Sequence, residues 1–298
     1  MKILTIVGPT GSGKTLMALR AAHALNGEIV SADSMQLYRG MDIGTAKLPL
    51  AQREGVPHHM IDVASPEAPM SVADYQAEAV RCLTDIHQRD RTPIICGGSG
   101  LYVNSLTYDL RFDERSGPIP VLREQLEQMS SSALYERLRE IDADAAGRIH
   151  PNNRVRVMRA LEIAAGQDAE APVYDFRHPR KAHEFFVIGI APDRSILRSI
   201  LDRRVDDMIS AGLIDEVQSL RTQFPGSSVL SRAIGYKELL DAQSKDDIER
   251  GIECIKVNTR QLAKRQITWF RRDNRIRWIS MGDDNMLERA LREFEIED

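Results

Sequence analysis

Gly8-Pro9-Thr10-Gly11-Ser12-Gly13-Lys14-Thr15 fits the pattern G-x-x-x-x-G-K-[ST]. Glycines let successive backbone N–H groups converge on phosphate oxygens, and a helix starting where the loop ends adds its positive pole. Lys14 supplies a cation, and the Thr15 hydroxyl is a ligand type that Mg²⁺ accepts. The loop predicts a site for a diphosphate or triphosphate. It does not name the reaction, because hydrolases, kinases and enzymes that expel diphosphate all use such loops. Asp33 is the second candidate. It follows the apolar segment Glu28–Ser31, and in an open parallel sheet the carboxyl ends of the strands face one crevice. A carboxylate there can act as a general base or a metal ligand, and an Asp in this place also caps turns.

These residues need a scaffold. Lys2–Val7 reads as a strand leading into the loop, and Thr15–Leu25 as the helix leaving it. Val72–Arg89 reads as a helix and Thr92–Cys96 as a strand that ends in Gly97-Gly98-Ser99-Gly100. This alternation predicts an α/β fold with a P-loop parallel sheet core. Helical periodicity then dominates over Val121–Met129, Ser132–Ile141, Ala143–Ile149 and Val155–Ala165, followed by irregular sequence over Gln167–Arg180. Glu184–Ala191 reads as a strand again. The expected organisation is a core of residues 1–112 and 184–298 with a helical insertion at 113–183. The C-terminal region is helical, with helices at Arg194–Gln223, Ile234–Ala242 and Lys245–Arg272, a strand at Ile276–Ser280 and a last charged helix.

Composition narrows the partners. The 298 residues are 42% hydrophobic and 28% charged, which suits a globular protein, and the net charge of −4 alone gives no reason to expect nucleic acid. Between Lys256 and Arg277, however, eight Lys or Arg face one acid, Asp273. On a helix, Lys256, Arg260, Lys264 and Arg271 share one face beside an apolar stripe, a pattern suited to a phosphate backbone. Three scattered cysteines, Cys82, Cys96 and Cys254, contain no C-x-x-C, so a zinc ribbon is excluded and a reducing, cytoplasmic compartment is expected. His58-His59 lacks a third ligand at suitable spacing, which favours a structural role. No apolar run approaches the roughly 18 residues of a membrane span.

Further blocks resemble bacterial tRNA dimethylallyltransferases in wording and order. They are Ser31–Tyr38, Met41–Lys47, Pro57-His58-His59, Gly97–Tyr102, Arg148–Asn152, Arg159–Ile163, Ala233–Lys237 and Thr259–Arg271. The resemblance spans residues 8 to 271. It implies transfer of a dimethylallyl group from dimethylallyl diphosphate to N6 of the adenosine 3′ of the anticodon, with Mg²⁺ as cofactor and a monomeric enzyme. Asp33 would be the base, and Lys14 and Thr10 would act with it. Gly8, Pro9, Thr10, Gly11, Ser12, Gly13, Lys14, Thr15 and Arg204 would hold the diphosphate, with Thr15 on the metal. Asp33, Ser34, Met35 and Gln36 would surround an unstacked adenine, with Ser99 beside the RNA. The anticodon stem-loop would meet Val155, Arg156, Val157, Met158 and Arg159, then Arg232, Gly235, Tyr236 and Lys237. It would also meet Lys264, Arg265, Gln266, Trp269 and Arg271.

The chain departs from this family pattern at three places. Ile200 stands where the family has an arginine that helps bind diphosphate, while Arg204 keeps the second arginine position. Asn153 replaces an Asp, and Ser116-Gly117-Pro118 replaces an acidic Asp-Pro. Two other readings remain open on sequence: a tRNA-binding paralogue with little or no transferase activity, and a P-loop nucleoside or nucleotide kinase. A kinase would leave the basic C-terminal helix without a purpose.

Overall fold

The computed structural model describes residues 1–110, 112, 120–165 and 183–296. These fall into two compact units, Met1–Thr107 with Arg180–Asp298, and Tyr108–Pro179. The irregular stretch expected at 167–180 and the Ser116–Pro118 departure lie outside the described residues.

In the larger unit, six described strands form one parallel sheet. They are β1 (Lys2–Val7), β2 (Gly27–Ser31), β3 (His58–His59), β4 (Thr92–Gly97), β5 (Glu184–Ala191) and β6 (Arg277–Ser280), in the spatial order β3-β2-β4-β1-β5-β6. Every pairing is parallel. The two-residue alternation of strand side chains sends Ile3 and Val7 to one face and Leu4 and Ile6 to the other. Helices α1 (Lys14–Ala24) and α11 (Asp284–Ile296) cover the second face through Met17, Leu19, Leu287 and Phe294. The first face is covered by α2 (Val72–Gln88), α3 (Gly100–Thr107), α8 (Arg194–Ser210), α9 (Leu213–Gln223) and α10 (Lys245–Phe270). Both faces are therefore buried, which is why the strands read as continuous apolar runs. Among the described residues no helix is long and apolar enough to cross a membrane.

Two expectations need correction. The helix expected over Arg194–Gln223 is two helices, broken at Gly212, whose φ of 100° only glycine adopts without cost. Ile234–Ala242 winds as successive turns rather than a helix, with left-handed backbone at Gly235.

One buried ion pair fixes the sheet's edge. Glu28 on β2 is 4% exposed and takes Arg89 Nη2 at 2.9 Å and His59 Nε2 at 2.7 Å. The Arg89 hydrogen bonds, assisted by His59 and opposed by burial, hold the Glu28 carboxyl down at about 2. Because its ordinary value is 4.5, its stabilisation is full above that pH and is lost as pH falls toward 2. Glu28→Gln is expected to cost about 2–3 kcal/mol near neutral pH, less than for a fully buried pair because the Arg89 side chain is 43% exposed. The gap from wild type should narrow in acid, as urea unfolding at several pH values would read.

In the smaller unit, α4 (Pro120–Gln128), α5 (Ser131–Ile141), α6 (Ala143–Arg148) and α7 (Arg154–Ala165) enclose Leu126, Leu134, Leu138, Val157, Met158 and Leu161. Arg154 donates to the carbonyls of Leu126, Glu127 and Met129, satisfying the open end of α4. Asn153 Oδ1 accepts from Arg156 N at 3.4 Å, so the residue at this departure stands at the start of α7 as a cap.

Candidate active site

The phosphate loop leaves β1 and enters α1 with left-handed backbone at Gly11 and Gly13 (φ 77° at each). Gly13 is the residue before α1, so the free amides of the helix's first turn open toward the loop. Ser12 N donates to Pro9 O, and Lys14 Nζ reaches back to the same carbonyl at 3.5 Å.

Asp33 stands two residues past β2. Its Oδ1 accepts from Met35 N at 3.0 Å, closing its own turn. The neighbouring Ser34 N donates to Ser99 Oγ at 3.0 Å. Ser31 Oγ and Thr45 O both engage the Gln36 side chain, at 3.1 and 3.3 Å. The segment that follows is held from α9. The Glu216 carboxylate accepts from the amides of Asp42, Ile43 and Gly44 and from Tyr236 Oη at 2.6 Å. Neither Glu216 nor its partners announce this in the sequence, because the amides of residues 42–44 lie more than 170 residues from Glu216.

These elements enclose a cavity of about 1030 Å³. It is lined by Thr10, Gly11, Gly13, Lys14 and Thr15 from the loop, by Asp33, Ser34, Met35 and Gln36, and by Ser99. Arg204, Arg232, Gly235, Lys237, Arg265 and Gln266 also line it, as do Lys47, Glu54 and His58. Val205, Met208, Ile234 and Leu262 supply an apolar lining; of these only Leu262 is marked in the sequence, by its place in the apolar stripe of α10.

The electrostatics favour an anion. Burial pushes the Lys14 ammonium below its ordinary value, and the negative Asp33 opposes this while Arg204 adds to it. Burial likewise lowers Arg204, opposed by Asp33. Among the described residues no hydrogen bond or ion pair engages the Arg204 guanidinium. Two cations thus share a partly desolvated site with one carboxylate, an arrangement that a polyanion would stabilise. Burial also pushes the Cys96 thiol up to about 11, which makes it a packing residue and not a nucleophile.

Several expected positions lie elsewhere. Gly8, Pro9 and Ser12 are buried within the loop and are not among the residues that line the cavity. Val157 and Met158 are fully or nearly buried in the core of the smaller unit and cannot meet RNA. Val155 and Arg156 are exposed on that helix, and Arg159 pairs with the buried Glu162 at 3.2 Å. Tyr236 is fully buried, its hydroxyl committed to Glu216. Gln266 is 9% exposed and binds the backbones of Thr10 and Gly98. Trp269 is half-buried, while Lys264 and Arg271 are exposed.

The basic run from Lys256 to Arg277 also divides. Lys256 pairs with Asp206 at 2.8 Å, and Arg260 pairs with Asp202. Arg275 pairs with Asp273, and Arg277 with Glu293. The expectation of nearly unopposed charge along the whole run is therefore corrected. Among the described residues, Lys264, Arg265, Arg271 and Arg272 remain exposed without an acidic partner.

In the His58-His59 pair, His58 Nδ1 meets Val56 O at 2.9 Å and His59 meets Glu28, while His58 Nε2 is buried without a partner among the described residues and the ring lines the cavity. Among the described residues no cluster of three or more His, Cys, Asp or Glu could hold a metal.

Comparison with known proteins agrees with this geometry. The chain is 43% identical to a tRNA dimethylallyltransferase of Exiguobacterium sp. strain AT1b, over 94% of this chain and 90% of that one. The crystal structure of a tRNA isopentenylpyrophosphate transferase from Staphylococcus epidermidis is 36% identical and superimposes with a TM-score of 0.71, covering 99% of each chain. A eukaryotic dimethylallyltransferase acting on tRNA gives a TM-score of 0.79 at 29% identity, covering 99% of this chain and 77% of that one. The IPP transferase family model matches residues 36–273. With a parallel sheet, a phosphate loop and a carboxylate sharing one cavity, and with these matches spanning nearly its whole length, the chain belongs to the IPP transferase family.

Proposed function

We propose that the chain transfers a dimethylallyl group from dimethylallyl diphosphate to N6 of the adenosine 3′ of the anticodon in tRNA. The observation that carries this reading is the placement of Asp33 in the same cavity as Lys14, Thr15 and Arg204. N6 forms a bond to C1 of the prenyl group as the C1–O bond to diphosphate breaks. The bonding pair leaves with diphosphate, and the N6 proton passes to the Asp33 carboxylate. Charge that grows on the leaving oxygen is stabilised by loop amides, Lys14 and Arg204. The base supplies proton transfer at a fixed position. The apolar wall at Val205, Met208 and Leu262 suits a hydrocarbon chain and excludes water from it.

The donor set fits Mg²⁺: a threonine hydroxyl and a carboxylate are hard oxygen ligands, and Mg²⁺ commonly binds through one or two protein groups plus substrate phosphates. Thr15 would hold it, and the ion would supply charge neutralisation of the diphosphate. Lys264, Arg265, Arg271 and Arg272 would meet the RNA backbone.

Incubation with dimethylallyl diphosphate, Mg²⁺ and unmodified tRNA should give prenylated adenosine, detected by mass spectrometry after nuclease digestion. Retained tRNA binding without product would sink the transferase reading. Alanine at Lys264, Arg265, Arg271 or Arg272 should each flatten the dependence of log Kd on log salt by about 0.7–0.9. Lys256→Ala and Arg260→Ala, whose charges are already paired, should leave that slope unchanged.

A further inference from the structure

Gln266 sits on α10 directly after the exposed Lys264 and Arg265, yet it turns inward and is 9% exposed. Its Oε1 accepts from the backbone N–H of Thr10 in the phosphate loop at 2.8 Å. Its Nε2 donates to the carbonyl of Gly98 at the end of β4 at 2.9 Å. Each loop offers one backbone group of opposite polarity, and a primary amide is the side chain that answers both at once.

The Gly98 side of this bridge continues toward the base. Ser99 N donates to Ala32 O at 3.1 Å, and Ser99 Oγ accepts from Ser34 N at 3.0 Å. Ala32 and Ser34 flank Asp33. The bridge therefore runs from the phosphate loop through Gln266 to the turn that carries Asp33. Its fit is tight: a Cβ added to Gly98 would lie 2.5 Å from Gln266 Nε2 and 3.1 Å from Gly8 O, so an added methyl would push the amide off both of its partners. Trp269, one turn further along α10, lies close over Gly100 at the start of α3, where an added Cβ would meet its ring.

We infer that Gln266 is a positioning residue that sets the phosphate loop at a fixed separation from Asp33, and that it does not contact RNA. The inference rests on the transferase reading for its catalytic consequence. The geometry of the loop can be tested without turnover.

The test uses Gln266→Met, which keeps the length and removes both hydrogen bonds, and Gly98→Ala, whose methyl crowds the same amide and also approaches Gly8 O of the phosphate loop. Calorimetric titration with inorganic pyrophosphate and Mg²⁺ reads the loop, and filter binding of tRNA reads the RNA surface. Both variants should bind pyrophosphate roughly tenfold more weakly while tRNA affinity stays at the wild-type level. In turnover, kcat should fall by up to about a hundredfold, with KM for tRNA unchanged, because small misplacements of reacting groups are costly. The double variant should be no worse than the more affected single variant, since both break one bridge. If Gln266→Met binds pyrophosphate like wild type but loses tRNA affinity, the residue is an RNA contact and the inference fails. Wild-type binding of both ligands by a folded variant also overturns it. If the wild-type protein binds pyrophosphate but makes no prenylated product, the transferase reading falls, and the pyrophosphate titrations still decide the role of Gln266.

Discussion

Asp33→Asn is expected to slow prenyl transfer by about 10²–10⁴-fold while leaving tRNA and pyrophosphate binding intact. Asparagine keeps an oxygen at the position that accepts from Met35 N, so the turn that places residues 33–36 in the cavity should persist. What disappears is the carboxylate that would take the N6 proton. Its negative charge also partly offsets the burial of Lys14 and Arg204. Removing it leaves Lys14 and Arg204 facing the diphosphate without that competing charge, so pyrophosphate should bind at least as tightly as in wild type. Lost chemistry with an undiminished grip on the leaving group is the signature of a base. Single-turnover rates at saturating donor, set beside pyrophosphate titration, separate the two. A variant that turns over like wild type would remove Asp33 from the mechanism.

Much of this architecture was legible because it is local. The strand Lys2–Val7, the phosphate loop and α1 are consecutive, and the apolar run Glu184–Ala191 coincides with β5 to the residue. Elements without a visible period were missed. Six of the eight residues of α3, Tyr102 to Thr107, are buried, so no polar face marks it as a helix, and its Gly-rich entry reads as a loop. With two residues, β3 is too short to alternate. The break between α8 and α9 depends on one left-handed glycine.

The site divides in the same way. Loop and Asp33 could be read from chain order, since parallel strands bring their carboxyl ends together. The roles of Gln266, Tyr236 and Glu216 depend on partners distant in sequence, and no spacing rule connects them. Charge on α10 shows the cost of counting along one dimension: the acids that neutralise Lys256 and Arg260 lie on α8, 50 and 58 residues away. The count was right and the field it implied was too broad. In the smaller unit, helical periodicity located α7 but did not separate the buried Val157 and Met158 from the exposed Val155 and Arg156.

Arg204→Met should reduce kcat/KM for the prenyl donor by about 10²–10³-fold, the range seen when one donor aimed at developing charge is removed. Arg204 lines the cavity on α8 and makes no direct ion pair or hydrogen bond among the described residues, with Asp33 its nearby negative charge, so its guanidinium is available to the diphosphate. One turn earlier on the same helix stands Ile200, packed over the loop: a Cβ built on Gly11 would lie 3.5 Å from Ile200 Cγ2. An arginine in place of Ile200 would start from a backbone already beside the phosphate site. Ile200→Arg should therefore tighten pyrophosphate binding by roughly tenfold, about what one added charge-assisted hydrogen bond contributes. In the Arg204→Met background the same change should recover part of the lost donor affinity. Recovery of binding without full recovery of kcat would mean that Arg204 acts chiefly as charge separates, while Ile200→Arg strengthens the ground-state grip as well. If Ile200→Arg changes neither background, its guanidinium does not reach the diphosphate, and Lys14 and Arg204 alone define the cationic side of the site.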